Sequence, residues 1–211
     1  EPIIGIGHFE PLRHYAEVHL LMEPLERGSG LEFISKCSED LLDKNWQRLI
    51  LTHLEEKRHL GVLIGAEITD MRISVICGKS HQKHTEGGDF RQATYRAVRN
   101  GMKKSKSILL EPIYAFRLEI PQEFIGRAMI DIQQRNGKFE PPIIENNIAM
   151  IYGTAPVICI QDYQLEINSY SQGKGKIYLT FNGYDVCHEA DKIILESGYD
   201  SEKDIDNSTG S

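Results

Sequence analysis

The sequence has little cysteine, and its cysteines are not arranged in close pairs. Cys37, Cys77, Cys159 and Cys187 are scattered along the chain and form no C-x-x-C motif. A zinc ribbon and a small disulfide scaffold both depend on closely spaced cysteines, so this spacing argues against both classes. We predict four reduced, mostly buried thiols, as in a cytoplasmic protein.

Long apolar runs are also missing. No stretch approaches the roughly 20 apolar residues that span a bilayer, so we predict no membrane partner. The first residues, EPIIGIGHFEP, have neither an initiating Met nor the basic segment that opens a secretory signal. We therefore expect a cytoplasmic protein, and we expect this chain to be a piece of a longer one.

Basic residues are outnumbered, but the excess of acid is confined to one end. The formal net charge is −7, and residues 185–211 hold eight acidic residues against Lys192 and Lys203. Residues 1–184 are therefore almost neutral, with 23 acidic and 22 basic side chains. Such a body can still bind a phosphate backbone through a local patch, and the basic segment 90–104 supplies one.

A length of 211 residues favours two domains, and the junction lies near residue 108. Residues 90–104 have the helical spacing of apolar positions, with Asp89 as the predicted N-cap and a possible loosening at Gly101. Beyond the junction, large apolar residues alternate with polar or small ones and predict a strand over 113–120. Pro112 is placed before this strand and not in it.

The first domain is predicted to contain strands at 14–23 and 31–37. Asp40 is the predicted cap of a helix that presents an apolar stripe, made of Leu42, Trp46, Leu49, Ile50 and Leu54. An extended segment follows Gly61, and a polar loop over 78–88 leads into the basic helix.

The second domain has a recognisable order of elements. After strand 113–120, we predict a helix opened by Pro121 and closed by Gly137, then strands over 138–144 and 148–153. A helix over 157–170 and a strand over 177–182 complete a β-α-β-β-α-β order, which is that of a ferredoxin-like sandwich. Residues 190–197 favour one more short helix, and the composition after it favours disorder.

No arrangement of residues in the sequence indicates an active site. The stretch SQGKGKI lacks the G-x-x-x-x-G-K-[ST] pattern and leads into a strand, so we interpret it as a turn and not as a nucleotide loop. No Ser/His/Asp or Cys/His spacing indicates nucleophilic catalysis. The ligand-type residues Cys77, His81, His84, Glu86 and Asp89 are interpreted as a solvated loop in preference to a metal site.

Four stretches carry a resemblance to a known family: MEPLERGSGLEF (22–33), GGDFRQA (87–93), LLEPIYAFRLEIPQEFIGRAMIDI (109–132) and CIQDYQLEINSYSQGKG (159–175). Together they resemble the C-terminal part of the translational GTPases of the elongation factor G class. Within that class, the run CIQDY is closer to the tetracycline-type ribosomal protection proteins.

The resemblance implies an α+β fold. Residues 1–108 would be similar to domain IV, a ribosomal S5 domain 2-like unit, and residues 109–185 to domain V, a ferredoxin-like unit. Residues 186–211 would form an acidic, partly disordered tail. The GTP-binding domain, with GTP and Mg²⁺, would lie upstream, so this segment itself would hold no cofactor or metal and would not be an enzyme. The implied partner is the ribosome, with its 16S and 23S rRNA and ribosomal proteins, and the implied state is a monomer.

The resemblance also implies a site without catalytic residues. A tip loop at the end of domain IV would enter the ribosomal A site and contact rRNA through Ser80, His81, Gln82, Lys83 and His84. The basic helix would contact phosphates through Arg91, Arg96, Arg99, Lys103 and Lys104. Tetracycline protection proteins carry approximately Tyr-Tyr-Ser-Pro-Val at the tip, where this chain has KSHQKHT.

The activity of the parent protein stays open at this point, and so do two alternative functions of the chain. The parent protein could confer tetracycline resistance, act in elongation or act on stalled ribosomes. The chain could instead be a stand-alone RNA-binding module. A less favoured alternative is a metal-dependent enzyme that uses Cys77, His81 and His84.

Overall fold

Two clusters of buried side chains organise residues 1–204, which are the residues that a computed structural model of the chain describes. The chain divides into two units: Glu1–Ile108 together with the segment from Asp191 onward, and Leu109–Ala190. Each unit has its own cluster. The last residues of the predicted disordered tail, 205–211, lie outside the described residues.

Unit 1 is a four-stranded sheet with two helices. Its elements are β1 (Ile3–Phe9), β2 (Ala16–Pro24), β3 (Leu31–Ser35), α1 (Lys44–Glu56), β4 (Met71–Ser80) and α2 (Gly87–Lys104). The strand order is β1-β2-β4-β3, and β3 runs parallel to β4 because α1 carries the chain back between them. Ile50, Leu54, Phe90 and Ala97 of the helices are fully buried in its core.

Three predictions about unit 1 are wrong in detail. The N-cap of α1 is Asp43, not Asp40. Helix α2 begins at Gly87 after Glu86, and Asp89 is its third residue, where it completes a capping box with Glu86. The helix continues through Gly101 to Lys104 without a break. Because Ser, Asp and Glu are all frequent near these starts, composition alone could not select the capping residue.

Unit 2 is the ferredoxin-like sandwich. Its elements are β5 (Leu110–Pro121), a 3-10 turn (Gln122–Phe124), α3 (Ile125–Gln134), β6 (Lys138–Phe139), β7 (Ile143–Glu145), β8 (Ile148–Pro156), α4 (Val157–Ile160), α5 (Tyr163–Ser171) and β9 (Lys176–Val186). The strand order is β6-β8-β5-β9, with the short β7 paired to β8. Phe116, Leu118 and Ile120 point into the core, as their alternation predicts.

The prolines of unit 2 lie elsewhere than predicted. Pro112 is inside β5, at a register shift against β9, and β8 pairs with β5 only from Ile113 onward. A missing N–H is tolerated where one side of the strand has no partner. Pro121 ends β5 and precedes the 3-10 turn, so it does not open a helix.

Two helix boundaries in unit 2 also differ from the prediction. Asn136, with a φ of 58°, takes the left-handed conformation after α3, where Gly137 was predicted to do so. The helix predicted over 157–170 is interrupted between α4 and α5, at residues 161 and 162.

After β9, the chain forms the predicted short helix α6 (Ala190–Ser197). None of the helices within residues 1–204 combines the length and the apolar character needed to cross a bilayer. The four cysteines are free, and the prediction of mostly buried thiols holds fully only for Cys187, because the other three are partly exposed.

Candidate functional site

The predicted tip loop lies between β4 and α2. It is shorter than the predicted 78–88, because Ser80 is still in β4, where it pairs with Ala16 of β2. The connection that remains is 81–86, and all of His81, Gln82, Lys83 and His84 are exposed. A strand and a helix that are both packed in the core of unit 1 therefore hold the two ends of this loop.

Thr85 fixes the loop to the connection between β1 and β2. The backbone N–H of His81 donates to Thr85 Oγ1 at 2.6 Å, and the Thr85 hydroxyl donates to the carbonyl oxygen of Tyr15 at 2.7 Å. In return, the backbone N–H of Tyr15 donates to the carbonyl oxygen of His84 at 3.1 Å. These bonds satisfy loop backbone groups and restrict the loop's conformation.

The base of the loop is held by a nearly buried carboxylate. Asp89 is 5% exposed, and its Oδ2 accepts the backbone N–H of Glu86 at 2.8 Å. The same oxygen lies 3.1 Å from Nδ1 of His14, which belongs to the connection between β1 and β2. The two connections therefore share one anchor.

Two imidazole rings meet at the exposed end of the loop. His81 and His84 stack with their ring centroids 4.6 Å apart and their planes 24° from parallel. Both rings border a shallow groove whose other lining residues are Glu10, Leu12, Arg13, His14 and Tyr15. Exposed aromatic rings of this kind can stack on unpaired bases, and Lys83 can attract a phosphate.

Tyr15 belongs to a polar network beneath the groove. Its hydroxyl donates to Glu17 at 2.8 Å, and burial, with Glu17 as a further cause, raises the pKa of Tyr15 to about 12. A hydrogen bond from His19 to Glu17 is the main reason that the pKa of Glu17 is lowered. Tyr15 therefore stays neutral while Glu17 stays ionised.

The five predicted phosphate-contact residues of α2 all have partners inside unit 1. Arg91 bonds Glu56, Arg96 donates to the carbonyl oxygen of His8, Arg99 and Lys103 both pair with Glu202, and Lys104 donates to the carbonyl oxygen of Ile4. The Arg99 side chain is only 12% exposed. A phosphate would have to compete with these partners, so phosphate contact by this helix stays a prediction.

The structure does not bring Cys77, His81 and His84 together as metal ligands. Within residues 1–204, the group whose possible ligand atoms lie within 4.8 Å of one another is Glu111, Cys187 and His188. The stretch SQGKGKI is a turn between α5 and β9, as predicted, with Gln172 and Gly173 at positive φ.

Sequence reasoning missed the contribution of the connection between β1 and β2. The sequence predicts His14 and Tyr15 in a strand, whereas both lie in the connection before β2, together with the fully exposed Leu12, whose φ is 52°. A signal was present in Pro11, which often marks a turn. The pairing of this connection with a loop about 70 residues later is a tertiary feature that periodicity cannot show.

Comparisons with known proteins agree with this architecture. Residues 7–106 match the family described as elongation factor G, domain IV, and residues 108–193 match the elongation factor G C-terminus. The chain is 32% identical over 187 residues to the tetracycline resistance protein TetP of Clostridium perfringens. That alignment covers 88% of this chain and 28% of TetP.

A solved crystal structure of a protein from Thermus thermophilus shares the fold. Its TM-score is 0.81 with 24% sequence identity, over 93% of this chain and 30% of the other chain. This chain therefore spans less than a third of the length of either relative. The resemblance and the α+β fold that it implied are both confirmed: the chain belongs to the elongation factor G family and consists of its domain IV followed by its C-terminal, ferredoxin-like domain.

Proposed function

We propose that this chain is the ribosome-binding C-terminal part of a cytoplasmic translational GTPase, and that the loop 81–84 enters the ribosomal A site. The family match supports ribosome contact, because domains IV and V of this kind typically belong to ribosome-binding translational GTPases. The GTP and Mg²⁺ of the whole protein would belong to a domain outside this chain. Its partners would be 16S and 23S rRNA with ribosomal proteins.

The observation that carries this proposal is the stacked pair of His81 and His84 on a loop anchored at both ends. Presenting two rings in a fixed geometry reduces the entropy lost on contact with RNA. A disordered loop of the same composition would have no such advantage. The rings and Lys83 then have different roles, since the rings can stack on bases whereas the lysine adds attraction that does not depend on sequence.

These two roles can be separated with two matched double variants, made in the GTPase that carries this chain. His81→Ser with His84→Ser removes the rings, and Gln82→Ser with Lys83→Ser removes the charge and keeps the rings. We expect the first variant to lose activity in translation while its ribosome affinity stays within about threefold. We expect the second to bind more weakly, with a salt dependence whose slope falls by about one.

The assay is run with and without tetracycline, because this distinguishes the possible activities of the whole protein. Loss of function only with the drug would assign the loop to drug protection, as the name of the relative TetP suggests for that protein. Loss under both conditions would assign it to elongation or to stalled ribosomes. Wild-type activity of the ring-free variant under both conditions would refute the proposal.

One observation favours a second candidate function, direct binding of single-stranded RNA by unit 2. Arg117 of β5 lies in register between Tyr152 of β8 and Tyr178 of β9, and its guanidinium is 4.3 Å from the Tyr178 ring centroid. Aromatic and arginine side chains across neighbouring strands form a stacking surface for bases. The test is fluorescence anisotropy of a short rRNA mimic with the chain alone. Binding that is lost in Tyr152→Ala and kept in Tyr184→Ala would support this candidate.

A further inference from the structure

Three chemically complementary side chains of unit 2 come together from distant positions in the sequence. Glu111 lies at the start of β5, Cys159 lies in α4, and His188 lies two residues after the end of β9. All three belong to the same unit. Neither the ribosome proposal nor the fold requires this grouping.

His188 is held by Glu111. Its Nδ1 lies 2.8 Å and 3.0 Å from the two carboxylate oxygens of Glu111, and its backbone N–H donates to Oε1 at 3.0 Å. Glu111 is only 8% exposed. Because an ionised carboxylate can only accept, Nδ1 must carry a proton, and Nε2 of the neutral ring is left with its lone pair free.

The free nitrogen faces a sulfur. Nε2 of His188 lies 3.7 Å from Sγ of Cys159, within the range of a hydrogen bond to sulfur. The side-chain amide of Asn136 donates to the same Sγ at 3.7 Å, and Arg135 donates to the Cys159 carbonyl oxygen at 2.6 Å. Oε2 of Glu189 lies 4.0 Å from Nε2. The sulfur therefore has a proton acceptor, Nε2 of His188, and an amide donor, Asn136, within hydrogen-bonding distance.

Cys187 also bonds the Glu111 carboxylate. Its Sγ donates to Oε2 of Glu111 at 3.7 Å, and the thiol is 6% exposed. Burial is the main reason that the pKa of Cys187 is raised. Cys187 therefore stays protonated, whereas Cys159 is partly exposed and has a base beside it.

We infer that Cys159 is a reactive thiol, a modification site for small soft electrophiles and peroxides, with His188 as its base and Glu111 as the residue that positions His188. The proton of Sγ moves to Nε2, and the thiolate attacks the electrophile. With an alkyl iodide, a C–S bond forms, the C–I bond breaks and iodide leaves with the electron pair. With hydrogen peroxide, an S–O bond forms and the O–O bond breaks. The leaving hydroxide takes the proton from the ring, giving a sulfenic acid and water.

A metal site is the competing interpretation, since Glu111, Cys187 and His188 could each offer one ligand atom. Zinc would require the Cys187 thiolate, which its burial opposes, and it would displace the Glu111 bond at Nδ1. The contact between Nε2 and Cys159 would then be incidental. The geometry fits the thiol better because it uses all the contacts of His188 at once.

The test is the labelling rate of each cysteine in the full 211-residue chain, measured by mass spectrometry with limiting iodoacetamide at neutral pH. Cys77, also partly exposed, is the control within the same molecule. We expect Cys159 to react at least about tenfold faster than Cys77. In His188→Asn, the ratio should fall to about one with the Cys77 rate unchanged, and in Glu111→Gln it should take an intermediate value.

Two further readouts separate a chemical role from a structural one. Cys187 should stay protected in both variants, which shows that unit 2 is still folded. The ¹⁵N shifts of the His188 ring should report protonated Nδ1 in the wild type and a mixture of tautomers in Glu111→Gln. Similar rates for Cys159 and Cys77 in the wild type would overturn the inference, as would fast Cys159 labelling in His188→Asn with Cys187 protected. Stoichiometric zinc that slows labelling of Cys187 would also overturn it, in favour of the metal site.

Discussion

Gly5 and Gly7 of β1 allow helix α2 to lie directly on the edge of the sheet in unit 1. A Cβ on Gly7 would overlap the carbonyl oxygen of Ala93, and one on Gly5 would overlap that of Ala97. Both clashes are with backbone atoms, which cannot turn aside as a side chain could. The close approach also places Ala93 and Ala97 in the core with no exposed surface.

Gly7→Ala should therefore destabilise unit 1. We expect a loss of about 1–3 kcal/mol, because the helix must move away from β1 and the packing of the core is disturbed. Gly88→Ala is the matched control, since its Cβ would meet no atom within 4 Å. Urea unfolding of the two variants checks this, and equal stabilities would contradict the close approach.

A pH effect follows from Glu56 of unit 1. Hydrogen bonds from Tyr95 and then His53 lower the pKa of Glu56 from 4.5 to about 2. Because the folded pKa lies below the unfolded one, the stabilisation is complete above about pH 5 and is lost as the pH falls towards 2. Glu56→Gln should therefore unfold more easily than the wild type at pH 7 and equally easily near pH 2.

Glu55→Gln is the neighbouring control for that experiment, because Glu55 is an exposed carboxylate on the same helix. Urea midpoints of the wild type and both variants at the two pH values are compared. If Glu56→Gln lowers the urea midpoint equally at both pH values, these hydrogen bonds do not act through the ionised carboxylate.

At the scale of single elements, the capping of helix α1 by Asp43 can be tested. Asp43 Oδ1 accepts the backbone N–H of Asn45 at 2.8 Å. Asp43→Ala should cost about 1 kcal/mol, whereas Asp40→Ala, three residues earlier and outside the helix, should cost almost nothing. Thermal unfolding of both variants measures the difference. A larger loss in Asp40→Ala would move the start of the helix to the position that the sequence suggested.

Elements that depend on periodicity were predictable, and those that depend on neighbours were not. The alternation in β5 identified Phe116, Leu118 and Ile120 as buried, because it records one face of a sheet. Pro112 was misplaced because its tolerance depends on which flank of β5 lacks a partner at that point. Asn136, and not Gly137, takes the left-handed conformation at the end of α3, because asparagine also tolerates that conformation.

At the scale of the whole chain, the order of elements specified the ferredoxin-like fold, and the two family motifs at 22–33 and 87–93 specified the domain IV type. The groupings of distant residues could not be predicted. His14 meets Asp89 across 75 positions, and His188 meets Glu111 across 77. The sequence showed no Cys/His spacing of a reactive site because α4 and the end of β9 become neighbours only on folding.

The purified chain should not hydrolyse GTP. The turn at Ser171–Gly175 leads into β9 and not into a helix, and Ser171 Oγ already accepts the backbone N–H of Gly175 at 2.9 Å. A phosphate cradle needs free backbone N–H groups at the start of a helix, together with a lysine. Release of phosphate above a buffer blank by the chain, retained through repeated purification, would contradict this expectation.

We propose above all that the stacked rings of the loop 81–84 meet rRNA in the A site. The most direct measurement is a cryo-EM map of the ribosome in complex with the GTPase that carries this chain. We expect His81 or His84 to lie against a base of 16S rRNA on the decoding side, with Thr85 still bonded to Tyr15. A map in which the loop faces solvent, while another surface of the chain holds the ribosome, would contradict it.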